Sequence, residues 1–342
     1  MEMKDKKISI FSSSRIRVFA GLLIVIVLFL LQKPSHPLIL ESGPIPIIES
    51  EFNTLIVIPS ITSQVQYHYR KAIRTTWKKA LPASMKLLFF IGKNNLNRQD
   101  QNALYLESSQ NDDMVILDIN EEYDQLSHKM VAIYRYIADN PDLFKGLKWV
   151  FKTDTDVWLN ALKLESLLNE YEPRKIVIGK AYKNAPVLRK GDWANTEYTS
   201  SHYPMYMAGA GYIMSFDVVE WLVQQDKLKW LKYMNNEDAL LGIWLAGLNV
   251  DLINHEGIRP NIFAHNRKFR RPIPKFCDKD SLLIHNLSRR GVLITSETFS
   301  RCQSPCLDDC PIEIQNELSK YLSGPEMFAK LLHDKLNIDV QV

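Results

Sequence analysis

An apolar run, Leu147 to Phe151, ends directly in Lys152-Thr153-Asp154-Thr155-Asp156. Two carboxylates at i and i+2 on an extended chain point to one face, and two hard oxygen ligands side by side suit Mn2+ or Mg2+. A nucleotide diphosphate would add further oxygens to such an ion. The same pair also reads as solvation of a strand-to-helix turn, or as capping of a helix after Asn160. Further along, Asp238 follows Asn235-Asn236-Glu237 and begins the helical pattern Ala239 to Gly247. That position suits a general base as well as ordinary capping, with Glu237 as the alternative base. Arg70 and Arg74, four apart, share one helical face, either solvated or turned toward an anion. Gly209 and Gly211 in Ala208-Gly209-Ala210-Gly211 allow backbone to approach a sugar or acceptor closely. Tyr203 and Trp193 suit stacking on a sugar ring or filling a core.

These side chains need elements to hold them. Leu55 to Ile58, Lys86 to Ile91, Met114 to Ile119 and Leu147 to Phe151 read as short strands. Between them lie helical patterns near Gln66 to Lys78, Asn97 to Ser108 and Asp124 to Asp139, the last closed by Asn140-Pro141. Strands alternating with helices predict a doubly wound α/β fold with a parallel sheet and helices on both faces. In such sheets ligands bind beyond the carboxyl ends of the strands, which is where Asp154 and Asp156 fall. Haloacid-dehalogenase phosphatases also set D-x-D after an apolar strand, but on the opening strand, and here three strand candidates come first.

The chain has 342 residues, 46% of them hydrophobic, enough for one large α/β domain or two smaller ones. Its 42 basic and 39 acidic side chains leave a net charge of +3, and no basic run is interleaved with aromatics, which excludes nucleic acid as an expected partner. Val18 to Leu31 is unbroken apolar sequence, preceded by Lys4, Lys6, Lys7, Arg15 and Arg17. Counted from Arg15 to Lys33 it reaches about 28 Å at the helical rise, close to a thin bilayer. The positive-inside rule then predicts a cytoplasmic tail over 1–17, a transmembrane signal anchor over 18–31, a proline-rich stem over 32–50 and a lumenal domain over 51–342. A cleaved signal peptide has an apolar core of similar length, but no small-x-small site follows the run. Both readings send the rest of the chain into the secretory pathway. All four cysteines, Cys277, Cys302, Cys306 and Cys310, lie in the last quarter. They fit two disulfides of open pairing in an oxidising lumen, and their spacing would also tolerate a zinc ion. Asn286-Leu287-Ser288 is the one N-glycosylation triplet, with Asn286 as acceptor.

Six segments then appear in order: Tyr69 to Trp77 (YRKAIRTTW), Tyr123 to Lys129 (YDQLSHK), Phe151 to Asn160 (FKTDTDVWLN), Tyr203 to Ser215 (YPMYMAGAGYIMS), Glu237 to Gly242 (EDALLG) and Leu282 to Ser288 (LLIHNLS). Together they resemble the β-1,3-galactosyltransferase family, whose inverting enzymes include β-1,3-N-acetylglucosaminyltransferases and the Fringe proteins. The resemblance covers about Phe52 to Ser288. It implies a GT-A type nucleotide-sugar-binding fold with a Rossmann-like mixed sheet, a Mn2+ ion, a UDP-sugar donor and a glycan acceptor on protein or lipid. It also implies a single-pass type II protein of the Golgi membrane. By the same match Asp156 is the direct metal ligand, Asp154 lies nearer the ribose, His285 is the imidazole ligand and Asp238 is the base. Arg70, Arg74, Lys129, Thr155, Gly209 and Gly211 complete the implied donor site.

The chain departs from the family pattern in several places. Thr155 stands where many members have a third Asp, and Met207 replaces a frequent cysteine, which implies a different disulfide arrangement. Trp158 and Trp244 take the place of smaller or different residues, implying a reshaped acceptor pocket. The identity of the sugar, whether galactose, N-acetylglucosamine or N-acetylgalactosamine, is left open. A pseudoenzyme or lectin-like chaperone on the same fold is the alternative, since fold alone does not fix function.

Overall fold

A computed structural model describes residues 52–121, 125–191, 193–260, 277–322 and 333. The expected tail over 1–17, anchor over 18–31 and stem over 32–50 lie outside the described residues, as do Tyr123 and Asp124 of one motif. Among the described residues no helix is long and apolar enough to cross a membrane.

The apolar runs become strands because their side chains are buried on both faces. In chain order the first half contains β1 (Thr54–Pro59), α1 (Gln64–Thr75), β2 (Met85–Asn94), α2 (Arg98–Gln110), β3 (Met114–Asn120), α3 (Leu126–Asp139) and β4 (Trp149–Thr153). Polar N-caps start several helices: Ser63 accepts from the Gln66 amide before α1, and Asn97 from the Asp100 amide before α2. After β4 come β5 (Trp158–Leu159), α4 (Ala161–Leu168), β6 (Ile176–Tyr182), β7 (Tyr206–Ser215), α5 (Phe216–Lys227) and α6 (Glu237–Leu245). The chain continues through β8 (Asp251–Asn254), β9 (Ile258–Arg259), β10 (Leu283–Ile284), α7 (Arg289–Cys302) and α8 (Ile312–Lys320).

Seven strands form one sheet in the order β3-β2-β1-β4-β7-β6-β8. β3, β2, β1 and β4 are mutually parallel, as the alternation predicts. β7 runs antiparallel to both β4 and β6, so the sheet is mixed, as the family resemblance implies and the strand-helix alternation alone does not. Successive residues of β1 alternate between two cores. Ile56 and Ile58 join Ile73 of α1, Leu164 of α4 and Val292 of α7. Leu55 and Val57 face the other way, onto Ile133 of α3, Leu222 of α5 and Leu241 of α6. Helices therefore cover both faces. A small second sheet, β5-β10-β9, lies beyond the carboxyl end of β4.

The cysteines form two disulfides, Cys277–Cys306 and Cys302–Cys310, so the zinc alternative is set aside: all four sulfurs are engaged. Met207, standing where the family pattern has a cysteine, is buried against the β6 backbone at Gly179. Trp158 is not in a pocket but in the core, with its ring 5.0 Å from that of Phe299. Trp244 is partly buried and donates its indole N–H to the Lys232 carbonyl.

Candidate functional site

The acidic pair follows the last residue of β4, and the small sheet supplies its partner. β5 and β10 pair antiparallel, with Ile284 opposite Trp158, so the residues preceding β5 meet those following β10. That register brings Asp156 beside His285, and the Leu287 amide seals it by donating to the Asp156 carbonyl at 3.0 Å. His285 Nε2 lies 3.3 Å from Asp156 Oδ1 and 3.5 Å from Asp154 Oδ2. The candidate ligand atoms of all three residues lie within 4.8 Å of one another. On the far side of the ring, Nδ1 is 2.8 Å from the Pro260 carbonyl, so in the neutral imidazole Nδ1–H donates there and the Nε2 lone pair faces the carboxylates. Burial works against the imidazolium, but Asp156 and Asp154 override it and raise its pKa to about 10. A divalent cation could replace that proton, and one imidazole with two carboxylates is a donor set suited to Mn2+.

α1 and the 3-10 turn that follows it, Trp77–Ala80, brace this loop from behind. The Trp77 indole N–H donates to the Val157 carbonyl at 3.0 Å, and the Tyr69 hydroxyl to the Leu287 carbonyl at 3.1 Å. Thr155, expected at the donor, is buried and donates to Gln66 Oε1 at 2.7 Å. Asn160, not the acidic pair, caps α4 by accepting from the Lys163 amide at 3.1 Å.

The expected base stands at the start of α6. Asp238 Oδ1 accepts from the Ala239 amide at 2.8 Å, and Oδ2 accepts from the Gly209 amide at 2.9 Å. Gly209 can do this because β7 bulges: Gly179 pairs with Tyr212 but Ala181 with Met207, which throws the intervening glycine segment out of register. A Cβ at Gly209 would lie 3.2 Å from Asp238 Oδ2. Gly211 has a packing reason instead, since a Cβ there would lie 3.0 Å from the Phe151 ring and 3.1 Å from Leu283. Burial raises the Asp238 pKa, opposed by the Ala239 and Gly209 amides.

Lys152 joins the two carboxylate groups. Its Nζ lies 3.0 Å from Asp154 Oδ1 and 3.9 Å from Glu237 Oε2, and it donates to the Gly209 carbonyl. Burial and then Lys152 pull the Asp154 carboxyl in opposite directions; Lys152 and His285 prevail and hold it at about 2. Glu237 accepts from the Tyr212 hydroxyl, which is 2.8 Å from the Tyr134 hydroxyl. Burial lifts Glu237 to about 7 despite Lys152 and Tyr212, with Asp238 and Asp154 adding to the rise.

Arg70 and Arg74 do share a helical face, but it is turned toward α2 and β3. Arg70 Nε lies 2.9 Å from Glu107 Oε1, and its Nη1 donates to Ser60 Oγ and the Ile61 carbonyl at 2.8 and 2.9 Å. Arg74 pairs with Glu107 at 2.7 Å and with Asp113 at 2.8 Å. Both guanidiniums thus serve a buried ion network, where the sequence offered solvent or a donor anion. Lys129 is likewise buried, bonded to Glu121 and to the Ser60 carbonyl at the end of β1. Burial lowers its pKa against the pull of Glu121. Asn286 has φ 62°, a left-handed conformation that Asn tolerates, and the sequon's Ser288 hydroxyl accepts from the Gly291 amide as the cap of α7. Trp193 is partly exposed, while Tyr203 is buried and stacks on Tyr198. Sequence reasoning missed Lys152 and Gln66. The signal for Lys152 was a cation inside an otherwise apolar strand, and none marked Gln66.

Against known proteins, the family described as Galactosyltransferase matches residues 68–256, more than half of the chain. UDP-GalNAc:beta-1,3-N-acetylgalactosaminyltransferase 2 of Danio rerio is 30% identical over 154 residues, 44% of this chain and 30% of that one. Its Homo sapiens counterpart is 31% identical over 159 residues, 45% of this chain and 30% of that one. UDP-GalNAc:beta-1,3-N-acetylgalactosaminyltransferase 1 of Rattus norvegicus is 30% identical over 213 residues, 59% of this chain and 63% of that one. The chain thus spans about a third of the first two relatives and under two thirds of the third. A solved 4-diphosphocytidyl-2C-methyl-D-erythritol synthase from Anaerococcus prevotii superposes with a TM-score of 0.36 at 10% identity, over 61% of this chain and 89% of that one. The family match runs from within α1 to just beyond β8 and takes in both Asp154-Thr155-Asp156 and Asp238; this protein belongs to the galactosyltransferase family.

Proposed function

We propose that this protein is an inverting glycosyltransferase, which moves a hexose or N-acetylhexosamine from a UDP-sugar to a hydroxyl of a glycan acceptor and forms a β-1,3 linkage. The observation that carries the reading is the convergence of Asp154, Asp156 and His285 on one side of Lys152 and Gly209, with Asp238 on the other. A family match and relatives named as β-1,3-N-acetylgalactosaminyltransferases support it. Asp156 and His285 would hold Mn2+, with Asp154 beside them; the ion supplies positive charge that stabilises the departing diphosphate. Asp238 takes the proton of the acceptor hydroxyl, whose oxygen attacks the anomeric carbon from the side opposite UDP. The bond to UDP breaks as the new glycosidic bond forms, and the configuration inverts. A buried, raised-pKa carboxylate is a stronger base than a solvated one, which suits it to a hydroxyl proton. In the cell we assign the chain to the Golgi membrane as a type II protein, anchored by residues 18–31, with the two disulfides fitting an oxidising lumen.

The test is titration of the full chain, purified in detergent, with several UDP-sugars in the presence and absence of Mn2+, alongside Asp156→Ala. Metal-dependent binding of one UDP-sugar, lost in the variant, is expected. Binding of no UDP-sugar by the folded chain would sink the donor assignment, and binding without turnover would favour a glycan-binding or chaperone role.

A further inference from the structure

We infer that Lys152 is a positioning residue that sets the Asp238 carboxylate against the donor-side carboxylates, acting through the backbone of Gly209. The inference rests on reading Asp238 as the base and the acidic pair as the donor site. Lys152 lies opposite Tyr212 in the β4–β7 ladder, and its Nζ is 5.8 Å from the centre of that ring. Its side chain therefore leaves the sheet on the face covered by α6, the face that Asp154, two residues on, also reaches. There it is only 2% exposed. Its ammonium donates to Asp154 and to the Gly209 carbonyl, and Glu237 faces it as an ion-pair partner at 3.9 Å.

Gly209 is the link. Its carbonyl takes a proton of Lys152, while its N–H holds Asp238 Oδ2 at 2.9 Å. The glycine sits in the β7 bulge, where neighbouring strands hold it less tightly than a regular ladder would. Lys152 pins that bulge from the β4 side, and β4 carries the acidic pair on its end. The distance from base to donor is thus fixed through one lysine and one glycine. A cation required only to balance Glu237 and Asp154 would need no bond to the Gly209 carbonyl.

The experiment uses the full chain with Lys152→Met, Glu237→Gln, and both together, each with and without Asp238→Asn. The paired substitution leaves no bare buried carboxylate at Glu237 if Lys152→Met alone does not fold. Two quantities are read: kcat for UDP release at saturating UDP-sugar, and the Kd for UDP with Mn2+. Lys152→Met, alone or relative to Glu237→Gln, is expected to lower kcat about a hundredfold, the scale of a reacting group displaced by about 1 Å. The Kd should stay within about threefold, because Lys152 acts on the position of the base and not on the hold on UDP. Adding Asp238→Asn should bring far less further loss than it brings alone, since residues acting as a unit are not additive. Multiplying losses, an unchanged kcat, or a change confined to Kd would each overturn the inference. An unaltered chain that neither binds UDP with Mn2+ nor releases UDP would overturn the functional reading, and this inference with it.

Discussion

Two buried charge clusters, one beside α1 and α2 and one beyond β4 and β7, are built on different principles. Beside α1 and α2, Arg70, Arg74 and Lys78 face Glu107 and Asp113, and every carboxylate there is matched by at least one cation. Beyond β4 and β7, four carboxylates, Asp154, Asp156, Glu237 and Asp238, gather around Lys152 and His285. The first pairs both of its carboxylates, with the partly exposed Lys78 as the third cation, and holds helices to the sheet. The second brings several carboxylates together out of water, which raises the pKa of Glu237 and Asp238 and marks a place where a cation or a proton can bind. Burying charge is therefore not itself the mark of a site here; crowding carboxylates together is.

The comparison can be broken most sharply at Asp238. Asp238→Asn should cut kcat for transfer about a thousandfold while leaving UDP binding and the melting temperature near those of the parent, since it removes a base and relieves repulsion at once. A folded Asp238→Asn chain with full transfer activity would end its assignment as base. Glu107→Gln should do the reverse. It leaves two buried guanidiniums facing a neutral amide and should lower unfolding stability by about 3 kcal/mol in denaturant titration, with kcat per folded molecule unchanged. Equal stability in the variant would mean that the balanced network is not what holds α1 to α2.

The smallest expected effect is a pH dependence that arises in the carboxylate-rich cluster. Glu237 rises from 4.5 to about 7 on folding, chiefly through burial, so the folded state favours its protonated form. Its contribution to stability is full below about pH 4.5 and is lost as pH rises through about 7. Glu237→Gln should therefore flatten the fall in melting temperature between pH 5 and pH 8, a range about its folded and unfolded values. A profile that overlays the parent's would show that Glu237 is ionised throughout, held so by Lys152. In activity, the raised pKa of Asp238 predicts that the acid limb of the rate profile lies above the range of a solvated aspartate.

Much of the scaffold was legible in the chain. The runs at Leu55, Lys86, Met114 and Leu147 became β1 to β4 because a strand buried on both faces must be apolar along its length. The position of Asp154 and Asp156 at a strand's carboxyl end followed from the same pattern. Two disulfides could be expected from four clustered cysteines, but their pairing could not. Resemblance pointed to Asp238 and His285 without saying what would stand between them.

What sequence alone determined, then, is where each segment is buried and which segments repeat a strand-helix alternation, because local apolar periodicity records burial directly. Tertiary structure decided the rest. The antiparallel entry of β7 depends on which edge of β4 remains open once β1 has paired, and no local pattern carries that information. The meeting of Asp156 with His285, far apart in sequence, depends on the β5–β10 ladder. The fate of each cation is the clearest case. Arg70 and Lys152 are both long, charged side chains beside apolar residues, and only the assembled fold decides that one is enclosed by matching carboxylates while the other is shared among too many. Charge is written in the chain, but its balance is a property of neighbours that distant segments bring.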